Sequence, residues 1–125
     1  MKLSLENIVE FATNEFPEIV EKYRKEQKAS FETFYNGGEI LVYPFFGCVI
    51  QEHFLELIRD HLNKGDDSVS AELLKMTAFF EKLANSNDFD VENVLAVGIL
   101  EGITGDANEL ELILNILGEK SKKFY

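Results

Sequence analysis

Hydrophobic residues recur every three or four positions along most of the chain, which is the period of a helix with one buried face. Near the start this pattern predicts two short helices, at about residues 5–15 and 17–28, with Ser4 capping the first and Pro17 in the first turn of the second. Charged side chains surround most of the second helix, so we expect it to lie at the periphery.

Residues 31–43 carry a different pattern. Two runs rich in aromatic or aliphatic residues, 31–35 and 39–43, flank the sequence Asn36-Gly37-Gly38. That sequence is typical of a tight turn between antiparallel strands, but a lone hairpin is stable only when it packs against other elements. Two alternatives stay open here, a short β-hairpin and an irregular loop.

The clearest helix begins at Pro44 and runs to about Asn63. Its outer arc is polar, and Lys64-Gly65-Asp66-Asp67 ends it with a glycine after the last periodic position. One broad apolar face is formed by Phe46, Ile50, Phe54, Leu57, Ile58, His61 and Leu62.

Two helices follow in the second half of the chain. The first, at about 69–85, has a single apolar stripe that predicts burial on one side. Its stripe consists of Val69, Leu73, Met76, Phe80 and Leu83. The second is predicted to be capped by Asp90, and residues 94–100 are apolar on every side, so this helix should lie at the centre of the domain.

The last predicted helix begins at Asp106, with Glu109 three residues later as in a capping box, and stops at Gly118. The basic tail 119–125 adds a final turn or frays. The predicted fold is therefore mainly α, a single compact helical domain of about six helices over residues 1–125, with a short β-hairpin or a loop at 31–43. A chain of 125 residues with 46% hydrophobic side chains can bury such a core without disulfides.

Charge narrows the range of partners. Twenty-three acidic and twelve basic residues give a formal net charge of -11, which repels phosphate backbones and anionic lipid headgroups. We therefore expect neither nucleic acid nor membrane as a partner. A negative field favours a cationic protein partner, although simple solubility explains the same charge.

Cys48 is the single cysteine, the first ten residues lack an apolar signal core, and no apolar run reaches the roughly 20 residues of a membrane-spanning helix. These features favour the cytoplasm. Cys48 stands among apolar neighbours and His61 on the apolar face, which is typical of buried residues, and no phosphate-binding loop or nucleophile elbow is present. We expect no enzyme activity and no cofactor.

Two sets of residues have the side-chain types of a metal site. His53, Glu56 and Asp60, with Glu52 nearby, share one helical arc, but a metal site in a bundle needs inward ligands from facing helices, and no second matching motif exists. We interpret them as a solvated helix face.

The other group, Asp88-Phe-Asp90-Val-Glu92, resembles the start of a calcium loop, yet Asn93 replaces the required glycine and Ile99 the terminal glutamate. We interpret it as a helix cap.

Glu101 directly follows the apolar run of the central helix, near a C-terminus whose dipole disfavours anions. Either a structural hydrogen bond or ion pair or a functional role explains an acid there.

Three segments carry a resemblance: residues 88–101 with their Asp-x-Asp-Val-Glu-Asn start and apolar continuation, Leu117-Gly-x-Lys-Ser-Lys122, and Tyr43-Pro-Phe-Phe-Gly47. Over residues 43–125 the chain resembles small acidic helical immunity-type proteins encoded beside bacterial polymorphic toxins. The resemblance implies a cytoplasmic protein that binds and neutralises a cognate toxin domain without catalysis. It does not specify the toxin's activity or the contact residues.

A toxin that acts on nucleic acid would be basic, so we hypothesise that acidic arcs form the binding surface. The predicted contact residues are Glu52, Glu56, Asp60, Asp88, Asp90, Glu92, Glu101, Asp106 and Glu109. The alternative is a helical adaptor or subunit of a cytosolic complex, held by exposed aromatic residues such as Phe31, Phe34 and Tyr35. A metal-dependent helical enzyme is the third hypothesis, and the sequence does not predict an oligomeric state.

Overall fold

A computed structural model describes residues 2–36, 39–65 and 69–125. Within these ranges the chain forms eight helices and one short antiparallel ladder, which confirms the mainly α prediction. Two of the eight are helices of four or five residues that were not predicted as separate elements. The helices are α1 (Ile8–Glu15), α2 (Pro17–Glu26), α3 (Lys28–Glu32), α4 (42–64), α5 (Ala71–Ala84), α6 (89–100), α7 (Ala107–Ile116) and α8 (Glu119–Lys122).

The N-terminal helices are slightly shorter than predicted. Ser4 does not cap α1. Its backbone N–H instead donates a 2.9 Å hydrogen bond to the side-chain oxygen of Asn7, and the helix begins at the next residue, Ile8. Pro17 occupies the first position of α2, as predicted. Val20 is the one fully buried residue of α2, so the predicted peripheral position of this helix is confirmed.

A very short hairpin exists at 31–43. Strands β1 (Tyr35–Asn36) and β2 (Glu39–Ile40) pair antiparallel, and the predicted Gly37-Gly38 turn between them lies outside the described residues. Helix α3 ends at Glu32 and α4 begins at Val42, on either side of the hairpin. Phe31 and Phe34 are only 3% and 4% exposed, so the expectation that they form an exposed patch is wrong.

Both central helices contain π-helical turns, in which hydrogen bonds join residues five apart. In α4, Phe46–Gln51 is π-helical between the α-helical segments Val42–Phe45 and Glu52–Lys64. In α6, the segment Phe89–Asn93 is α-helical and Val94–Leu100 is π-helical.

Four of the seven residues of the predicted apolar face of α4 are completely buried. Val49 and Leu55 are buried in addition, whereas Leu62 is 37% exposed and His61 only half-buried, so the predicted burial of the last two was wrong. Gly65 ends the helix with a φ of +67°, as predicted, while Asp66 and Asp67 lie outside the described residues.

α6 runs through the middle of the fold, but two details differ from the prediction. Asp88 is the cap, because its Oδ1 accepts a 3.1 Å bond from the N–H of Val91, and Asp90 is an exposed residue of the first turn. Val97 is 47% exposed, so one side of the helix reaches the surface. Most other apolar residues of its π-helical segment are buried.

The core is rich in phenylalanine. Phe79 of α5 lies at its centre and contacts the rings of Phe11, Phe16, Phe46 and Phe80 at centroid distances of 5.2–6.5 Å. Such aromatic contacts contribute about 0.5–1.5 kcal/mol each beyond the area they bury. None of the helices in the described ranges is long and apolar enough to cross a membrane.

The C-terminal elements form as two helices. Asp106 caps α7 as predicted, since its Oδ1 accepts a 2.9 Å bond from the N–H of Glu109. The helix ends at Ile116, two residues before the predicted stop at Gly118, and Gly118 is the N-cap of α8. The tail is therefore ordered as far as α8, where Ser121 is completely buried.

Candidate protein-binding surface

The nine acidic residues predicted to bind a partner lie in two separate regions. Glu52, Glu56 and Asp60 follow one another at four-residue steps along the exposed side of α4. The other six flank α6 and the start of α7. Within the second group, Asp88 and Glu101 stand at opposite ends of α6.

Three of the nine carboxylates have structural roles. Asp88 and Asp106 cap helices. The Glu109 side chain is only 16% exposed, and its Oε2 lies 3.6 Å from Nε of Arg59. That oxygen accepts no hydrogen bond from any residue that the structure describes. These three acids are therefore poor candidates for direct contact with a partner.

Three acids along α6 remain accessible. Asp90 and Glu101 are exposed, and Glu92 is half-buried. In the described ranges no ion pair reaches Glu101, so the structural explanation for an acid at the end of this helix is not supported. Its carboxylate is available to solvent or to a partner.

An exposed apolar stripe, which sequence reasoning missed, runs between these acids. Phe89 is 81% exposed, and Val97 lies two four-residue steps further along α6. Between them, the side-chain N–H of Asn93 donates a 2.6 Å bond to the hydroxyl of Tyr43, which is 38% exposed. We call Phe89, Asn93, Val97 and Tyr43 the α6 face.

A signal for Phe89 was present in the sequence. It stands directly between two acids, Asp88 and Asp90, and is out of phase with the buried positions Val91 and Val94. An aromatic residue on the polar side of a helix is an unusual use of a large apolar side chain, because burying it would stabilise the fold by roughly 1.5–3 kcal/mol.

Negative charge is concentrated in the part of the sequence that contains α6 and α7. Residues 83–119 contain no lysine or arginine and eight acids, so this stretch carries -8 of the formal charge of -11. The remaining parts of the chain are close to balanced. The eight are Asp88, Asp90, Glu92, Glu101, Asp106, Glu109, Glu111 and Glu119.

His53 and Cys48, two further candidate groups, line the same cavity between α2 and α4. His53 is half-buried, and this burial lowers its pKa even though Glu56 and Glu72 act in the opposite direction. Burial raises the pKa of Tyr23, and Cys48, which is itself only partly buried, has a smaller effect in the same direction. In the parts of the chain that the structure describes, no three His, Cys, Asp or Glu side chains are grouped so that they could hold a metal ion.

Comparison with known proteins places the chain in a family. A family described as "Domain of unknown function (DUF7674)" matches residues 9–125. The chain belongs to this family. No curated protein and no solved structure matches it. The DUF7674 match over residues 9–125 includes the entire α6 face and all nine predicted acids.

Proposed function

We propose that this DUF7674 protein is an immunity-type inhibitor, which binds a basic bacterial toxin domain in the cytoplasm and neutralises it without catalysis. The observation that carries the proposal is the exposure of Phe89 and Val97 within residues 83–119, a stretch of the sequence with eight acids and no basic residue. The resemblance of residues 43–125 to immunity-type proteins points in the same direction.

Each part of this surface has a distinct role in the proposed complex. The acids accelerate encounter with a cationic partner, because complementary potentials raise association rates. Phe89 is the anchor that enters an apolar pocket of the toxin. Aromatic residues that become fully buried in an interface commonly contribute about 2 kcal/mol or more, whereas rim charges contribute mainly to association rate.

The partner for the test is sought among secreted proteins encoded near this one, and its C-terminal domain is purified in an inactive form. We expect a one-to-one complex by surface plasmon resonance, and rescue of growth when the active domain is co-expressed with this protein. Reversing Asp90, Glu92 and Glu101 to lysine should lower the association rate at least tenfold at low salt and flatten its salt dependence. Phe89→Ala should raise the dissociation rate about thirtyfold, equivalent to about 2 kcal/mol.

A matched variant controls for net charge. Glu6, Glu10 and Glu32 are exposed residues outside the acidic stretch, and reversing all three changes the net charge by the same amount. We expect this control to slow association less than twofold. Equal slowing by both triple variants would reduce the role of the α6 face to general charge, and absence of both binding and rescue would refute the inhibitor proposal.

The exposure of Phe89 also favours a second candidate, the adaptor or subunit of a cytosolic complex. The aromatic residues first expected to hold such a complex, Phe31 and Phe34, are buried, so Phe89 takes their place. Salt separates the two functions. An adaptor held by apolar contact should bind a partner other than a toxin, with an affinity that depends on Phe89 and changes little between low and high salt.

A further inference from the structure

A second surface lies between α2, α4 and α5. Two adjoining cavities of about 400 and 410 Å³ follow the length of α2 where it crosses α4 and α5. Ile19, Lys22 and His53 line both cavities, so the two form one continuous groove. We call it the α2–α4 groove.

The floor of the groove is apolar. Phe16 and Met76 are buried beneath one half and Val49 beneath the other, while Ile19 and Leu57 are partly buried and present apolar surface to the opening. Concave apolar surface of this kind is typical of binding sites for ligands or peptide segments.

The rim is strongly acidic. Five exposed carboxylates line the groove: Glu18, Glu26, Glu52, Glu56 and Glu72. Lys75 is occupied within the fold, since its Nζ donates a 2.7 Å bond to the carbonyl oxygen of Glu15 and lies over the ring of Phe16. Lys22 is then the remaining lysine or arginine that lines the described groove.

We propose that the α2–α4 groove binds a basic amphipathic segment of another protein, with apolar side chains on the floor and lysine or arginine side chains at the rim. The acidic rim and the net charge of -11 disfavour a second copy of this chain or an acidic peptide. α2 is ten residues long, or about 15 Å, which matches about three helical turns of a bound segment. This site is separate from the α6 face and does not depend on the proposed inhibitor function.

The test is fluorescence anisotropy with a labelled synthetic amphipathic helix of leucine and lysine, added to the full-length protein. We expect saturable binding that weakens at least tenfold in the double variant Glu52→Lys/Glu56→Lys. Both residues are exposed, so the variant should fold normally. As a second measurement that needs no variant, the NMR resonance of the His53 ring should shift on addition of the peptide.

Matched controls separate this site from general acidity. Asp90→Lys/Glu92→Lys changes the net charge by the same amount on α6, outside the groove, and should alter peptide affinity less than twofold. Peptides with glutamate in place of lysine, or serine in place of leucine, should bind at least tenfold more weakly. The proposal is overturned if the two double variants weaken binding equally, if either control peptide binds as well as the first, or if the His53 resonance does not move.

Discussion

Glu81 of α5 holds the C-terminal helix in place through three hydrogen bonds. Its carboxylate accepts from the backbone N–H and the hydroxyl of Ser121, both at 2.8 Å, and from the backbone N–H of Lys120 at 3.3 Å. Burial alone raises the pKa of Glu81, but these bonds together hold it below its ordinary value of 4.5. The ionised carboxylate therefore stabilises α8 against α5.

The prediction for Glu81→Gln is a loss of about 1–2 kcal/mol in the free energy of unfolding at pH 7, because charge-assisted hydrogen bonds are replaced by weaker neutral ones. A pKa lowered by folding means that this stability is present above the unfolded pKa of about 4.5 and is lost as the pH falls below it. The gap between wild type and variant in urea unfolding should therefore narrow between pH 7 and pH 3.

Two further variants test whether the hydrogen bonds of Glu81 cause this loss of stability. A Cβ at Gly118 would overlap the Glu81 carboxyl group, so Gly118→Ala should cause a similar loss that is not additive with Glu81→Gln. Glu119→Gln, on the exposed side of α8, should change stability by less than about 0.5 kcal/mol. If the difference in the free energy of unfolding between Glu81→Gln and wild type stays constant with pH, the ionised Glu81 carboxylate is not the source of this stability.

At the scale of single residues, sequence predicted features that depend on neighbours along the chain. The Asp106 cap and the Gly65 helix end were correct because each depends on residues within one turn. The helix cap was assigned to Asp90 instead of Asp88, because both aspartates have the chemistry of a cap and only the backbone conformation distinguishes them. The role of Glu81 depends on residues about forty positions away, which no local pattern contains.

At the scale of elements, the crossing of α4 and α6 depends on a contact between their π-helical segments. The Gln51 side chain donates a 2.6 Å hydrogen bond to the carbonyl oxygen of Ile99, in the last turn of α6. Carbonyl groups at a helix end have no partner within the helix, so a side chain from α4 satisfies one of them here. π-Helical turns are often found at functional sites, and this one lies next to the α6 face.

We predict that Gln51→Leu lowers the free energy of unfolding by about 1–2 kcal/mol, because the Ile99 carbonyl loses its donor in a partly buried place. A Cβ at Gly102 would stand 2.7 Å from Nε2 of Gln51, so Gly102→Ala should displace the amide and cause a loss that overlaps with that of Gln51→Leu. Urea unfolding of the two single variants and the double variant measures this overlap. Full additivity, or a neutral Gln51→Leu, would show that the hydrogen bond does not hold the helices together.

Helical periodicity located most elements but not the π-helical turns. A period of 3.6 located the stripe of α5 and four of the seven predicted face residues of α4, which are completely buried. It missed the burial of Val49 and Leu55, and it included Leu62, which lies near the end of the helix and is 37% exposed. Hydrogen bonds between residues five apart are not visible in a pattern of apolar positions.

For the molecule as a whole, the sign of the net charge was predicted from the sequence, but the surfaces on which the acidic residues lie were not. The accessible acids Asp90, Glu92 and Glu101 lie along α6, whereas Glu52 and Glu56 line the α2–α4 groove, although all five were included in one predicted set of contact residues. Four ion pairs join charged side chains in the described parts of the chain. Most of the excess negative charge is therefore not offset by a nearby cation.

This imbalance predicts that salt stabilises the fold. Repulsion among like charges disfavours a compact state, and screening shortens from about 10 Å at 0.1 M to about 3 Å at 1 M salt. We expect the Tm to rise by about 2–5 °C between 0.02 and 0.5 M NaCl, which corresponds to about 1 kcal/mol. Thermal unfolding followed by circular dichroism measures the change.

Two variants distinguish charge repulsion from other effects of salt. Thr104 and Glu111 are exposed within the acidic stretch, so Thr104→Lys/Glu111→Lys changes the net charge from -11 to -8. Thr104→Gln/Glu111→Gln changes it only to -10, with side chains of similar length. At low salt the Tm should increase from wild type to the glutamine variant to the lysine variant, and the differences should diminish in 0.5 M NaCl because screening removes their cause. If the three proteins instead share one Tm at low salt, repulsion within residues 83–119 does not limit stability, and the acidic stretch is tolerated at no cost to the fold.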